Sequence, residues 1–175
     1  MFCAYLLFML FSSTDLAAVF QAQELLVSRG LAVLAAWALI NLVVSGYFLF
    51  RADRHHEGYY FHSMNIGWGA VNAALAGWGL LHLQFSAPAG LELAEIFRRQ
   101  LFNENLFLFN AGLDVAYVMT GFYLRAKAAG LGQLHPARLH GFGRSLWIQG
   151  GFLLVFDAAM WGLLHRFGQD WLLLT

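Results

Sequence analysis

Four long apolar stretches separated by shorter polar segments set the pattern of this chain. They run from about Leu31 to Phe50, Tyr60 to Phe85, Phe102 to Leu124 and Ser145 to Phe167. Each is long enough to cross a bilayer as a helix, which takes about 20 residues. The connecting segments, Arg51–Gly58, Ser86–Leu101 and Arg125–Arg144, hold most of the charged residues and both prolines, Pro88 and Pro136. No proline kink is therefore expected inside a span. The pattern predicts an all-α transmembrane four-helix bundle. The last connection, with Gly130, Gly132, Pro136, Gly141 and Gly143, reads as a loop. Gly90–Gln100 alternates apolar and charged residues at helical spacing, which suits a short interfacial helix or an ordinary solvated turn of helix. Asn103-Glu104-Asn105 is placed to open the third span, where Asn can cap and a carboxylate complements the helix dipole.

The N-terminus has a different rhythm. Phe2–Phe11 is an apolar run stopped by Ser12, Ser13, Thr14 and Asp15. A run that short fits a signal-peptide core better than a span, although no basic stretch precedes it and no clean cleavage site stands before Glu24. The alternative is a retained fifth helix reaching Phe20. The chain thus divides into a signal-like or extra apolar segment, residues 1–23, and a four-helix transmembrane domain, residues 24–175.

Composition agrees with the pattern. Of 175 residues, 60% are hydrophobic and 11% charged, against roughly 25% charged in soluble domains. Lys plus Arg and Asp plus Glu both number 10, so no charge excess points to nucleic acid. One cysteine, Cys3, excludes an internal disulfide and a cysteine-based metal site. The partner implied is the lipid bilayer, with other membrane subunits or self-association open. Arg51, Arg54, Arg125, Lys127, Arg138 and Arg144 lie on the side of the first and third connections, while Arg29, Arg98, Arg99 and Arg166 lie on the other. The bias places the first and third connections in the cytoplasm. Tyr59, Tyr60, Tyr123 and Trp147 would then form an inner aromatic belt, and Trp37, Trp78, Trp161 and Trp171 an outer one.

Two short motifs recur in the same order. Ser45-Gly46-Tyr47-Phe48-Leu49-Phe50-Arg51-Ala52 is echoed by Thr120-Gly121-Phe122-Tyr123-Leu124-Arg125-Ala126. Trp78-Gly79-Leu80-Leu81-His82 is echoed by Trp161-Gly162-Leu163-Leu164-His165. The bundle is therefore read as two tandem helical hairpins inserted the same way up.

The polar residues inside the spans carry the chemistry. Asn41, Asn72, Asp114 and Asp157 each lie near the middle of one span. A charged side chain at the bilayer centre costs on the order of 3 kcal/mol, so these groups should face inward and one another. Asn110, Asp114, Tyr117 and Gly121 fall on one helical stripe, as do Asn65, Gly69, Asn72, Ala76 and Gly79, while Gln149 shares a face with Asp157. The candidate site for a proton, cation or small ligand is Asp114, Asp157, Asn72, Asn41, Asn65, Tyr117 and Gln149. The plainer reading is hydrogen-bonding glue between helices, worth about 0.6–2 kcal/mol per contact. If the two aspartates meet, repulsion and desolvation keep at least one protonated.

His82 and His165 occupy equivalent places of the repeat and form the ligand set of a b-type haem, with His62 and His140 as a second pair. Depth counts against it: His62 and His82 stand 20 residues apart, about 30 Å along a helix, hence at the interfaces. His55-His56 with Asp53 and Glu57 reads as a solvated loop, and Gly141-Phe142-Gly143 lacks the preceding strand of a nucleotide site. No serine or cysteine nucleophile sits beside a base and an orienter, so the reading leans away from an enzyme and calls for no cofactor.

At Asn65-Ile66-Gly67-Trp68-Gly69, Asn110-Ala111-Gly112-Leu113-Asp114-Val115-Ala116-Tyr117 and Gln149-Gly150-Gly151-Phe152-Leu153 the chain resembles an uncharacterised family of small bacterial four-span integral membrane proteins, over roughly Glu24 to Arg166. The resemblance implies a bacterial origin and a multi-pass place in the inner (plasma) membrane, and supplies no activity. The functional expectation is a membrane protein with a mid-membrane Asn/Asp layer that binds a proton, cation or small ligand. Its rivals are a structural or assembly subunit and a haem- or quinone-binding redox protein.

Overall fold

The computed structural model describes residues 13–85, 93–130, 132 and 134–174. They form four helices, α1 (Ser13–Leu49), α2 (Glu57–Phe85), α3 (Leu93–Ala128) and α4 (Pro136–Leu174), and no strand among the described residues. The all-α bundle expected from the apolar pattern is the fold. Residues 1–12, Pro88, Gln133 and the side chain of Trp171 lie outside the described residues.

The helices outrun the apolar stretches that announced them. Helices α1, α3 and α4 contain 37, 36 and 39 residues, and each includes a stretch long and apolar enough to cross a membrane. Helix α2, with 29 residues, is long enough but is not among the three that also meet the composition. Its Asn65, Asn72, His62, tyrosines and glycines dilute its apolar character.

Three local expectations are corrected by this length. Residues 93–100 are the first turns of α3, not a separate interfacial helix, because apolar positions keep helical spacing across the junction. Asn103-Glu104-Asn105 therefore lies inside α3, where Glu104 accepts a hydrogen bond from Gln100 at 2.8 Å instead of serving the helix end. The last connection is also shorter than a loop over Arg125–Arg144. Pro136 occupies the first position of α4, where a missing N–H costs nothing, and Gly132 takes φ +77° in the turn before it. Gly141 and Gly143 are helical, and their use is close packing.

Helix α1 runs through residue 23 without a break. Its buried positions, Phe20, Gln23, Gly30, Leu34, Ala38, Asn41 and Ser45, form one stripe with spacings of three, four and seven.

The bundle is inside-out relative to a soluble protein. Asn41, Asn65, Asn72, Asp114, Gln149 and Asp157 are buried, while Val43, Val155, Met119 and Trp78 are largely exposed. An apolar exterior around a polar interior suits lipid, where small residues and polar contacts, rather than hydrophobic burial, hold helices together. Helix α1 packs along α2, α3 along α4, and α2 joins the pairs through α4; the α2 and α3 backbones stay apart and meet through side chains, Trp68 against Tyr117. The packing order is α1, α2, α4, α3, and a space lined by all four helices is left where α2 and α3 face each other.

Glycines set the tightest contact. A Cβ on Gly121 would stand 2.7 Å from the Gly143 carbonyl oxygen, and one on Gly143 would stand 2.8 Å from the Gly121 oxygen. One turn deeper, a Cβ on Gly150 would stand 3.0 Å from the Tyr117 Cβ. Gly46, the residue that the sequence repeat equates with Gly121, meets nothing within 4 Å. The two hairpins thus share an end motif but not its packing.

Candidate functional site: a polar-floored cleft

The polar residues that sequence spacing put in one layer occupy two levels. The first is centred on Gln149 of α4, fully buried. Its amide nitrogen donates to the Asn41 side-chain oxygen at 2.6 Å and to the Asn65 oxygen at 2.9 Å. Its carbonyl oxygen accepts from Trp37 Nε1 at 2.8 Å. The Asn41 amide donates to the Trp37 backbone carbonyl at 2.8 Å, and Ser145 Oγ donates to Asn65 at 2.6 Å. Trp37 stacks on Phe152 with ring centroids 4.0 Å apart. Gln149 has partners at both its nitrogen and its oxygen, and the hydrogen bonds tie α1, α2 and α4 together.

The second level holds Asn72, Asp114 and Asp157. Asp157 follows Gln149 by eight residues and Asn72 follows Asn65 by seven, so this level lies about 10–12 Å nearer the other end of the bundle. The carboxyl groups of Asp114 and Asp157 meet across α3 and α4. Asp114 Oδ2, the Asn72 side-chain nitrogen and Trp68 Nε1 are buried with no hydrogen-bond partner. No hydrogen bond joins this level to the Gln149 network among the described residues.

These orphaned groups share one surrounding: a cleft of about 980 Å³ that fills the gap between α2 and α3. Helix α1 contributes Phe20, Gln23, Glu24, Val27, Leu31 and Leu34 to its wall. Helix α2 contributes Trp68, Asn72, Leu75, Trp78, Gly79 and His82. Helix α3 contributes Phe107, Asn110, Asp114 and Tyr117, and α4 contributes Leu153, Phe156 and Asp157. Most of the lining is apolar, with a few polar groups on the floor, the usual make-up of a small-molecule site. The rim carries Glu95, Arg98 and Arg99. Glu95 is ion-paired with both arginines, at 3.1 Å to Arg99, and the Arg99 guanidinium lies over the Phe20 ring, 5.4 Å from its centroid.

Of the seven candidates, Asn41, Asn65 and Gln149 belong to the satisfied network, and Asn72, Asp114, Asp157 and Tyr117 line the cleft. Sequence reading passed over Trp37 and Ser145 in the network and Trp68, Gln23 and Glu24 in the cleft. For Gln23 a signal existed, the continuous stripe of α1 from Phe20 to Ser45. Trp68 had none, since a tryptophan one turn from an asparagine reads as packing.

The histidines part company. His82 lines the cleft, whereas His165 lies outside that lining, 3.2 Å from Glu104 and stacked on Trp161. His62 approaches Ser45 Oγ at 3.2 Å, and His140 pairs with Glu57 at 2.8 Å. Among the described residues no three His, Cys, Asp or Glu side chains group as metal donors.

Comparison with known proteins places residues 33–158 in a family of unknown function (DUF6992), and the chain belongs to that family. No curated protein and no solved structure matches it. The matched region spans both polar levels, from Trp37 to Asp157.

Proposed function

We propose that this member of the family is a multi-pass membrane protein, without catalysis of its own, that binds a small ligand in the cleft floored by Asn72, Asp114 and Asp157. One observation carries the reading. The buried polar atoms that lack partners on Asn72, Asp114 and Trp68 all belong to residues lining a single cavity, while those around Gln149 are satisfied. Glue leaves neither orphaned groups nor space, because a buried unpaired polar group costs roughly 1–3 kcal/mol. A ligand that supplies the missing partners offsets that cost. An assembly subunit accounts for the Gln149 network and leaves the cleft unexplained.

In this reading α2 is the fourth span, its Asn65 and Asn72 shielded by α1, α3 and α4, and the protein lies in the bacterial inner membrane. The positive residues put the α1–α2 and α3–α4 connections in the cytoplasm, so the charged rim of the cleft faces outward. In a Cys3→Ser background, Gly58→Cys and Leu134→Cys should resist an impermeant thiol reagent on intact cells and react after lysis. Labelling of both on intact cells reverses the orientation.

Binding itself is tested by native mass spectrometry of the detergent-solubilised protein. Small-molecule adducts are expected on the wild type and should be lost in Asn110→Trp, which fills the cleft one helical turn from Asp114. Asp114→Asn and Asp157→Asn should stay folded, since they nearly conserve shape, yet lose adducts. Adducts that persist unchanged in all three variants, or a wild type that carries none, refute the reading.

A further inference from the structure

We propose that the ligand of this cleft is an organic cation with an apolar body, held by Asp114 and Asp157 and faced by the rings of Trp68, Tyr117, Phe107 and Phe156. This deepens the ligand-binding reading above and rests on it.

Charge is the first argument. The floor carries two carboxyl groups, both buried to nine-tenths or more. The basic side chains of the described lining are Arg98, Arg99 and His82, all toward the rim. Arg99 precedes Asp114 by 15 residues, about 22 Å along α3, and both arginines are already paired with Glu95. Even with one carboxyl protonated, as two carboxyls in contact require, the pair can carry one negative charge at mid-depth, and no basic side chain of the described lining stands beside it. A bound cation neutralises that charge. An anionic ligand worsens it, and a neutral one leaves it.

The walls give the second argument. Trp68 and Tyr117 meet edge to face with centroids 4.9 Å apart, and Phe107 and Phe156 likewise at 6.2 Å. All four line the cleft. Aromatic faces beside a carboxylate are the chemistry that recognises quaternary and other organic cations, through the ring quadrupole. The same walls ill suit a bare metal ion, which needs several oxygen donors at once, and no group of three such acidic or imidazole donors exists among the described residues.

Volume and lining complete the case. About 980 Å³ is far more than a proton or inorganic ion needs, and Leu31, Leu34, Leu75 and Leu153 offer apolar contact above the floor. Asn72, whose side-chain nitrogen has no partner, lines the cleft with the carboxyls. The α2 and α3 backbones stay apart, so side chains, Trp68 and Tyr117 among them, are what separate the cleft from its surroundings along that line.

Two probes of matched size and shape decide the matter: tetraphenylphosphonium and tetraphenylborate, opposite in charge. Equilibrium dialysis of the full chain in neutral detergent should show saturable phosphonium binding and borate binding weaker by about tenfold or more. Asp114→Asn or Asp157→Asn should weaken phosphonium binding by a similar factor and leave borate unchanged. Should either variant elute aggregated in size-exclusion chromatography, Trp68→Ala provides the same comparison without touching a carboxyl. Equal binding of both probes, abolished by Asn110→Trp yet insensitive to the aspartates, overturns the cation assignment and keeps the cleft as a ligand site. Absence of saturable binding by either probe overturns the cation assignment as well. The adduct experiment above then decides separately whether the cleft binds anything.

Discussion

Gly143→Leu is expected to leave little folded protein, while Gly46→Leu should behave like the wild type. Both glycines lie within long helices, and what their side of the helix meets differs. At Gly143 a side chain would drive into the Gly121 carbonyl oxygen, 2.8 Å from the new Cβ, and into the Arg125 backbone nitrogen at 3.1 Å. Backbone cannot move aside as a flexible side chain does, so α3 and α4 must separate. Their separation loosens every later contact along that pair, including the one between Asp114 and Asp157. The destabilisation should reach about 3 kcal/mol or more, the upper range of overpacking effects. At Gly46 nothing lies within 4 Å, and a leucine there adds apolar surface toward lipid. Thermal unfolding in detergent, followed by circular dichroism and by the monodisperse fraction in size-exclusion chromatography, makes the comparison. Equal midpoints for the two variants would show that the close α3–α4 crossing does not hold the bundle.

Replacing Gln149 by leucine should be the most damaging change among the polar positions. Gln149 serves Asn41, Asn65 and Trp37 at once. Its loss strands the Asn41 side-chain oxygen and Trp37 Nε1, while the Asn65 oxygen keeps Ser145 and the Asn41 amide keeps the Trp37 carbonyl. Stranded groups cost roughly 1–3 kcal/mol each in protein interiors, and interhelical hydrogen bonds in membranes average nearer 0.6 kcal/mol. A loss of about 2–4 kcal/mol follows for the two stranded groups, after relaxation. Asn72→Leu provides the contrast. The Asn72 side-chain nitrogen already lacks a partner, so its removal should cost little or even raise the unfolding midpoint. The two variants therefore separate polar groups that hold helices together from polar groups kept for something else. Destabilisation by Asn72→Leu as large as by Gln149→Leu would collapse that distinction and return the whole set to helix–helix glue.

Much of this was legible one residue at a time. The buried face of α2, Asn65, Gly69, Asn72 and Ala76, is the stripe that spacings of four, three and four mark out. The same periodicity turned Asp114 and Asp157 inward, because a carboxylate has nowhere else to go in a lipid environment. What failed was depth. Asn41 and Asp157 both stand near the middle of an apolar stretch, yet Asn41 pairs with Gln149, eight residues before Asp157. Apolar stretches mark where lipid begins, whereas the register of one helix against the next is set by where backbones can touch. Gly121 and Gly143 set it here, and one of them had been assigned to a loop.

The sequence by itself thus determined the class of structure, the four helices and the inward face of each. Those properties follow from local composition and a period of 3.6 residues, which every residue reports independently. Only the tertiary structure decided that the polar residues form two levels, one closed and satisfied, the other open onto a cleft. That outcome depends on which helix pairs pack closely. The α2 backbone packs on α1 and α4 and meets α3 only through side chains, and the space left over is a property of the arrangement rather than of any segment. Whether an asparagine is glue or part of a site is therefore a fact about its neighbours. Asn65 and Asn72 lie on the same face of the same helix, yet Asn65 is hydrogen-bonded to Ser145 and Gln149 while the Asn72 side-chain nitrogen has no partner.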